Sequence, residues 1–250
     1  MMETPNIRIK REGGILHVIF DRPEKKNALN RAMYRTATQA LRETDGDPSI
    51  GAILFAGAGG MFSAGNDLAD FVEASAEPGE FPAFAFIKAL AACEIPLVAA
   101  IEGIAIGIGA TLMLHCDLVY AAPGTLFRLP FVDLGLVPEA ASSLLLPRRV
   151  GMTKAAEFLL LGEAFGAEEA LRLGLINAIV PATELWGVAT ERAGRLAAKP
   201  RAALAATRHL MRGDADEIQS RIEEEARLFS LAMRSDEARA AFTAFLSKRR

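Results

Sequence analysis

Two glycine-bearing turns are the features of this sequence best suited to chemistry. The first spans residues 62–68 and the second residues 104–111, and each lies between an apolar strand-like run and a segment with helical character. Together the turns predict two backbone N–H groups directed at one oxygen atom. Such a pair is an oxyanion hole, which stabilises negative charge that develops on a carbonyl oxygen. The predicted chemistry therefore passes through an enolate or a tetrahedral oxyanion.

Short apolar strands and intervening helices are predicted to position these turns. Segments 7–10 and 15–20 predict a β-hairpin turning at Gly13 and Gly14, and Asn30 is the expected N-cap of a helix that ends near Leu41. Three further buried strands and one helix are predicted, in chain order, at 52–56, 84–93 (the helix), 97–101 and 118–121. Strands that alternate with helices predict an α/β core.

The last third of the chain is predicted to be helical. Helices are expected at 154–161, 167–173, 186–198, 200–211, 217–233 and 235–248. Pro200 suits the first turn of its helix, and Ser235 suits an N-cap followed by two acidic residues. No linker or repeat separates this region from the rest, so we expect it to pack on the core or on a neighbouring subunit.

Composition narrows the functional classes. The 250 residues are 51% hydrophobic and carry a formal charge of −3, which favours a globular fold and gives no global reason to expect nucleic acid as a partner. Cys93 and Cys116 lie in apolar segments without metal-ligand spacing, which predicts buried free thiols in a reducing compartment. No leader or membrane-spanning run is recognised, so we expect a cytoplasmic protein that binds neither a membrane nor a metal.

Several separated motifs resemble those of the crotonase superfamily, which includes enoyl-CoA hydratases and isomerases. They are RPEKKNALN at 22–30, FSAGNDL at 62–68, IEGIAIGIGAT at 101–111, CDLVYA at 116–121, LGLVPE at 134–139 and AFLSKR at 244–249. The resemblance implies a crotonase-like spiral of ββα units as the core over residues 1–195, followed by a helical oligomerisation region over 196–250. It further implies an acyl-CoA thioester as substrate and assembly as a homotrimer or homohexamer.

The resemblance also assigns site residues. The two oxyanion donors fall on the backbone N–H groups of Asn66 and Ile108, and an N–H at the start of a helix has no partner inside that helix. The positions implied for CoA binding are Lys25, Lys26, Ala28, Ala64, Asp67, Leu68, Phe245 and Lys248. A solvated surface charge is the alternative interpretation of the three lysines. No cofactor is required, since CoA is the carrier group of the substrate.

The expected acid is Glu139. The two glutamates that family hydratases use for water correspond here to Thr111 and Phe131, and neither can act as a carboxylate base. Residues 136–143 instead resemble the segment that supplies the single glutamate of Δ3,Δ2-enoyl-CoA isomerases, and their apolar residues predict a raised carboxyl pKa. This predicts an isomerase in which Glu139 moves a proton from C2 to C4. A helix-terminal surface role is the alternative for Glu139.

Other interpretations remain open at this stage. Asp133 is a second acid that would supplement or replace Glu139. Hydration, thioester hydrolysis and C–C cleavage would all use the same oxyanion hole, and a fold that binds acyl-CoA without turnover is the non-enzymatic alternative. Ser142 and Ser143 are expected to be packing or surface residues, and His115 an interior histidine, because no catalytic triad motif accompanies them.

Overall fold

The computed structural model describes residues 3–74 and 81–247. Its strands are β1 (Glu3–Thr4), β2 (Ile7–Glu12), β3 (Ile15–Phe20), β4 (Ala52–Gly57), β5 (Leu97–Ile101), β6 (Ile104–Ile106), β7 (Leu118–Ala121), β8 (Leu126–Arg128), β9 (Phe165–Gly166) and β10 (Ala178–Ile179). Its α-helices are α1 (Arg31–Arg42), α2 (Leu68–Ala74), α3 (Pro82–Ala92), α4 (Ile108–Thr111), α5 (Ser142–Val150), α6 (Met152–Leu160), α7 (Ala167–Arg172), α8 (Ala182–Ala197), α9 (Arg201–Arg212), α10 (Ala215–Ala232) and α11 (Asp236–Ser247).

The larger sheet has seven strands in the order β1-β2-β3-β4-β5-β7-β10. The predicted hairpin is confirmed: β2 and β3 pair antiparallel, and Gly13 and Gly14 both adopt positive φ angles, of 59° and 77°. Glycine reaches these angles without steric cost, which suits a two-residue hairpin turn. From β3 to β10 the neighbouring strands run parallel. Every residue of β5 is buried, as expected for a parallel strand covered on both faces.

The second sheet, β6-β8-β9, positions the second glycine turn. Strand β6 ends at Ile106, one residue before Gly107, and α4 begins at Ile108. The first turn is tied to the same strand, because Ser63 N donates to Ile104 O at 2.9 Å and Ile106 N donates to Ser63 O at 3.0 Å. The two turns predicted from sequence are therefore held side by side by backbone hydrogen bonds.

The core extends over both faces of the large sheet. Helix α8 covers one face, where Leu185, Ala189 and Ala193 are buried in one cluster with residues of the sheet strands. A second and larger cluster includes residues of α1 and α3, together with Phe229 of α10 and Phe242 of α11. The C-terminal helices thus pack on the core of their own chain. The division at residue 196 and the role of residues 196–250 in oligomerisation remain predictions.

Most predicted elements are confirmed, with differences at helix ends, whereas the short strands β1, β6, β8, β9 and β10 and helix α5 were not predicted. The Asn30 side chain accepts from Met33 N at 3.0 Å and caps α1, and Ser235 Oγ accepts from Ala238 N at 3.1 Å at the start of α11. The helical segment expected after the second turn is the short α4, followed by a 3-10 helix at Leu112–His115. Helix α10 begins two residues before the predicted start, because Asp214 caps it through Asp216 N and Glu217 N.

Among residues 3–74 and 81–247, no helix is both long and apolar enough to cross a membrane. Within this part of the chain, Cys93 and Cys116 are buried free thiols, as predicted. Burial raises the pKa of each thiol, that of Cys116 well above its usual range, so neither is present as a reactive thiolate near neutral pH. The two cysteines are therefore packing residues of the core.

Candidate active site

The first turn leaves the backbone N–H of Asn66 free. Leu29 N donates to Gly65 O at 2.8 Å and Asp67 N donates to Leu29 O at 2.9 Å, so the bridge to Leu29 uses the residues on either side of Asn66. Across the described residues, the Asn66 N–H has no hydrogen-bond acceptor. The hydroxyl of Tyr34, on α1, donates to Asn66 Oδ1 and holds the side chain in place. The backbone donor is therefore free while the residue that carries it is anchored.

The second turn leaves a matching donor at Ile108. Gly107 has φ 55° and ψ −122°, a conformation that strongly favours glycine, and its N–H donates to Arg128 O at 3.0 Å. Ile108 is the first residue of α4, and the first N–H groups of a helix have no intrahelical acceptor. In the described part of the chain, no other acceptor meets the Ile108 N–H.

The two turns touch through their glycines. A Cβ atom placed on Gly65 would lie 2.8 Å from Ile106 O, and one placed on Gly109 would lie 2.9 Å from Ser63 O. Both distances are shorter than normal contacts of a carbon with a backbone oxygen. Only glycine at these two positions lets the turns approach so closely. The sequence placed one oxyanion donor on each turn, and the structure brings the turns together.

Glu139 is buried beside this pair of turns. Glu139 is 1% exposed, and its Oε1 accepts a hydrogen bond from Thr111 Oγ1 at 3.1 Å. Thr111 is the last residue of α4, and with a rise of about 1.5 Å per residue it lies about 4.5 Å along the axis from Ile108. One helical turn thus connects the second amide to the acid. The alternative of a surface role for Glu139 does not agree with this burial.

Burial also sets the protonation of Glu139. Desolvation raises the pKa of its carboxyl to about 8, the hydrogen bond from Thr111 opposes this rise, and the negative charge of Glu225 adds to it. The same carboxyl acts on Tyr34. Burial raises the pKa of the Tyr34 hydroxyl well above its usual range, and the negative charge of Glu139 adds to this rise. The Glu139 carboxyl therefore gains and loses its proton near neutral pH.

The other polar candidates lie in different environments. Asp133 is half-exposed and its Oδ2 accepts from Arg128 at 3.0 Å, so it lies in a solvated and paired environment, unlike the buried Glu139. Ser142 is buried at the start of α5, and Ser143 Oγ donates to Glu225 at 2.6 Å. His115 is buried as expected, and burial lowers the pKa of its imidazole to about 4. None of these side chains forms a triad.

The two positions that correspond to the hydratase glutamates are both buried. Thr111 is fully buried and contacts Glu139, whereas Phe131 is 4% exposed and lies in the main hydrophobic cluster. A carboxylate is absent at both positions by sequence, so Glu139 is the buried acid of this site.

The structure groups most of the residues proposed to bind CoA. Ala64 N donates to Lys26 O at 2.9 Å, and the Asp67 carboxylate accepts from Arg22, which also donates to Ala28 O. Five of the proposed residues, Lys26, Ala28, Ala64, Asp67 and Leu68, therefore line the contact between segments 26–29 and 64–68, and Lys25 precedes them. Lys25 and Lys26 are exposed. Lys248 and the Phe245 side chain lie outside the described residues, so their assignment stays a prediction.

Three functional residues were not found from the sequence. Tyr34 anchors Asn66, Arg22 pairs with Asp67 at 2.6 Å, and Glu225 contacts the segment that follows Glu139. Burial alone would raise the pKa of Asp67, but Arg22 holds it below the usual value. All three are distant in sequence from the residues that they contact. The position of Glu225 three residues after Ile222 and four before Phe229 was the one available signal, because that spacing places it on the buried face of α10.

Comparison with known proteins agrees with the sequence resemblance. The family model described as enoyl-CoA hydratase/isomerase matches residues 10–250. Enoyl-CoA delta isomerase 2 of Rattus norvegicus is 39% identical over 194 residues, which cover 74% of this chain and 49% of that protein. The chain thus aligns with about half of the rat protein. A probable enoyl-CoA hydratase of Rhodobacter capsulatus is 36% identical, with 99% and 97% coverage.

The fold is also shared with solved structures. The structure of Pseudomonas aeruginosa OdaA matches with a TM-score of 0.93 and 41% sequence identity, and the match covers 97% of this chain and 99% of that one. The match therefore extends over nearly the whole of both chains.

Proposed function

The chain belongs to the enoyl-CoA hydratase/isomerase family and has the crotonase α/β fold, and within that family we propose that it is a Δ3,Δ2-enoyl-CoA isomerase. The family processes acyl-CoA thioesters, so the substrate class follows from membership. The observation that carries the finer assignment is Glu139, a buried acid with a pKa raised to about 8 and no second carboxylate at Thr111 or Phe131.

The proposed reaction needs one acid and one oxyanion hole. The thioester oxygen of a 3-enoyl-CoA binds the N–H groups of Asn66 and Ile108. The Glu139 carboxylate takes the proton from C2, and the negative charge passes to the thioester oxygen as a dienolate, which these two donors stabilise. The protonated Glu139 then returns the proton to C4, so the double bond moves from position 3 to position 2.

A carboxyl with a pKa near neutrality suits both halves of this reaction. A base with a low pKa would remove the C2 proton poorly, and an acid with a high pKa would return it poorly. The reaction also consumes no water and no electrons, so the proposal requires no metal or redox cofactor. CoA enters as part of the substrate, with segments 25–28 and 64–68 proposed as its contact surface.

Hydration of a 2-enoyl-CoA is the second candidate. A relative that aligns over 97% of its length is named a probable enoyl-CoA hydratase. In this reaction Thr111 would hold the water and Glu139 alone would activate it. The burial of Thr111 and Phe131 favours the isomerase, because a water molecule needs room and polar partners beside the acid.

One spectroscopic assay separates the two candidates. Purified protein is incubated with trans-3-hexenoyl-CoA, and the ultraviolet absorbance of the conjugated 2-enoyl thioester is followed. We expect the absorbance to grow with the wild-type protein and to stay constant with Glu139→Gln, because this substitution preserves the shape of the side chain and removes the base. The matched control is Asp133→Asn, which alters a half-exposed acid six residues away in sequence and should retain activity.

The alternative results are equally informative. Loss of absorbance from a 2-enoyl-CoA, with no growth from the 3-enoyl substrate, would identify a hydratase and refute the isomerase. Loss of isomerase activity in Asp133→Asn, with Glu139→Gln active, would transfer the role of the base to Asp133.

A further inference from the structure

A second buried glutamate contacts the segment that carries Glu139. Glu225 lies on α10 and is 4% exposed. Its carboxylate accepts three hydrogen bonds: from Ala141 N at 2.6 Å, from Ser143 N at 3.0 Å and from Ser143 Oγ at 2.6 Å. Both carboxylate oxygens are used, and all three donors lie within four residues of Glu139. A side chain that is more than 80 residues distant in sequence therefore fixes this turn.

The turn needs to be held because its backbone is unfavourable. Ala140 and Ala141 have φ angles of 60° and 53°, the left-handed region that residues with a Cβ rarely adopt, and they do so consecutively. Further hydrogen bonds hold the same segment, from Ser142 N to Glu139 O at 3.0 Å and between His115 Nε2 and Ala140 O at 2.8 Å. The two left-handed residues reverse the chain between Glu139 and the start of α5, and so determine where the Glu139 side chain points.

We propose that Glu225 is a positioning residue for Glu139: its carboxylate holds the left-handed turn that directs Glu139 toward Thr111 and the two oxyanion donors. Glu225 does not touch the substrate in this proposal. Its role for the reaction rests on the proposed function of Glu139. Its effect on the Glu139 carboxyl depends only on the geometry, and is measurable without a substrate.

Glu225 also acts on Glu139 through its charge. Its negative charge favours the protonated form of Glu139 and raises the pKa of that carboxyl, in addition to the larger effect of burial. Of the other titratable groups around the turn, His115 is neutral near pH 7, because burial lowers its pKa to about 4, and Tyr34 is neutral because its pKa is raised. Arg221 donates to Ser143 Oγ at 3.2 Å and offsets part of the Glu225 charge.

The test is Glu225→Gln, with Glu224→Gln as the matched control on the same helix. The glutamine amide keeps the shape, but it loses the charge and directs N–H groups toward the N–H of Ala141 or of Ser143. Glu224 is exposed and pairs only with Arg221 among the described residues. We expect kcat to fall about 10- to 100-fold with KM little changed, because the base would be misdirected. We also expect the acidic limb of the pH–rate profile to move to lower pH, because the negative charge beside Glu139 would be lost. Glu224→Gln should match the wild type in both.

A substrate-free readout separates this inference from the proposed function. The Glu139 carboxyl is titrated by 13C NMR, with its signal identified by its loss in Glu139→Gln. A lower pKa of Glu139 in Glu225→Gln supports the positioning role even if the protein shows no isomerase activity. An unchanged Glu139 titration together with an unchanged kcat refutes it. A lower yield of folded protein without a change in the Glu139 pKa shows a purely structural role and also refutes it.

Glu225→Asp keeps the test decisive if the glutamine variant does not fold. Aspartate retains the charge but withdraws the carboxylate by one methylene from Ala141 N and Ser143 N. We expect kcat to fall at least fivefold, while the pH limb stays closer to that of the wild type than it would after loss of the charge. A fully active Glu225→Asp, with an unchanged Glu139 titration, would contradict the need for these hydrogen bonds.

Discussion

Gly65→Ala should lower kcat more than the addition of a single methyl group would suggest. Gly65 has φ 87°, and a Cβ at this position would lie 2.8 Å from Ile106 O and 3.9 Å from the Cα atom of Gly107. The obstructing atom is a backbone oxygen, which cannot rotate away as the end of a side chain can. The methyl group therefore forces apart the two turns that carry the Asn66 and Ile108 donors.

The magnitude follows from two separate costs. A residue with a Cβ in a sparsely populated backbone region costs about 1–3 kcal/mol, which should appear as a lower free energy of unfolding. Displacement of the second turn removes one oxyanion donor from its place, and loss of one such donor lowers kcat about 100- to 1,000-fold. KM should rise as well, because Gly65 lies within segment 64–68 of the proposed CoA contact surface, whereas the loss of the oxyanion donor should appear in kcat.

The assay combines chemical denaturation with isomerase kinetics. Gly107→Ala is the informative companion: it has φ 55° but no atom within 4 Å of an added Cβ, so it carries backbone strain without the clash. Gly187→Ala, in the middle of α8 with no neighbour within 4 Å, should be fully active and about 0.5–1 kcal/mol more stable. A folded Gly65→Ala with kcat within about threefold of wild type would refute the oxyanion hole inferred from these turns.

Three further predictions concern the acid and its neighbours. The folded-state pKa of Glu139, about 8, lies above its ordinary value of 4.5, so the protein should lose stability as pH rises between these values, and denaturation curves of Glu139→Gln should lack this loss. Thr111→Val removes a hydrogen bond that favours the charged carboxylate, so the pKa of Glu139 should rise further and the acidic limb of kcat/KM should move to higher pH. Tyr34→Phe removes the donor to Asn66 Oδ1, which should lower kcat about tenfold and the free energy of unfolding by about 1 kcal/mol.

Each of these has a result that would contradict it. Parallel pH dependence of stability in wild type and Glu139→Gln would mean that the carboxyl titrates normally in the folded protein. If the acidic limb of the kcat/KM profile moved to lower pH in Thr111→Val, Thr111 would instead stabilise the protonated form of Glu139. An unchanged kcat in Tyr34→Phe would show that the backbone bridge to Leu29 alone holds Asn66 in place.

The elements and the backbone donors could be predicted because their signals are local. Gly13 and Gly14 mark the hairpin, Asn30 marks the start of α1, and glycines mark both turns of the site. An oxyanion hole of backbone N–H groups depends on the backbone conformation, and the spacing of the glycines indicates that conformation directly. The acid was assigned through the resemblance of residues 136–143 to the isomerase segment, and its apolar neighbours in sequence predicted the raised pKa.

The residues that support the site could not be predicted in the same way. Tyr34 is on the buried face of α1, where an aromatic residue at helical spacing indicates only packing. Glu225 stands in a run of three glutamates that resembles a solvated helix face, and only its register with Ile222 and Phe229 distinguishes it. Which turn it would meet depends on how α10 crosses the core, and no local pattern encodes that crossing.

The environment of Glu139 explains why one acid suffices in the proposed reaction. A buried carboxylate is normally paired with a cation. Within the described residues, however, the only side chain that hydrogen-bonds to Glu139 is the neutral Thr111, and the charge that acts on its carboxyl is that of the negative Glu225. Its basicity therefore comes from desolvation and like charge. The same burial excludes bulk water from the carboxyl, so that a proton taken from C2 is retained until it is delivered to C4. A second carboxylate at Thr111 would lie within hydrogen-bonding distance of Glu139 and would compete for that proton. In the proposed isomerase, the absence of both hydratase glutamates therefore leaves Glu139 as the one group that removes the proton and returns it.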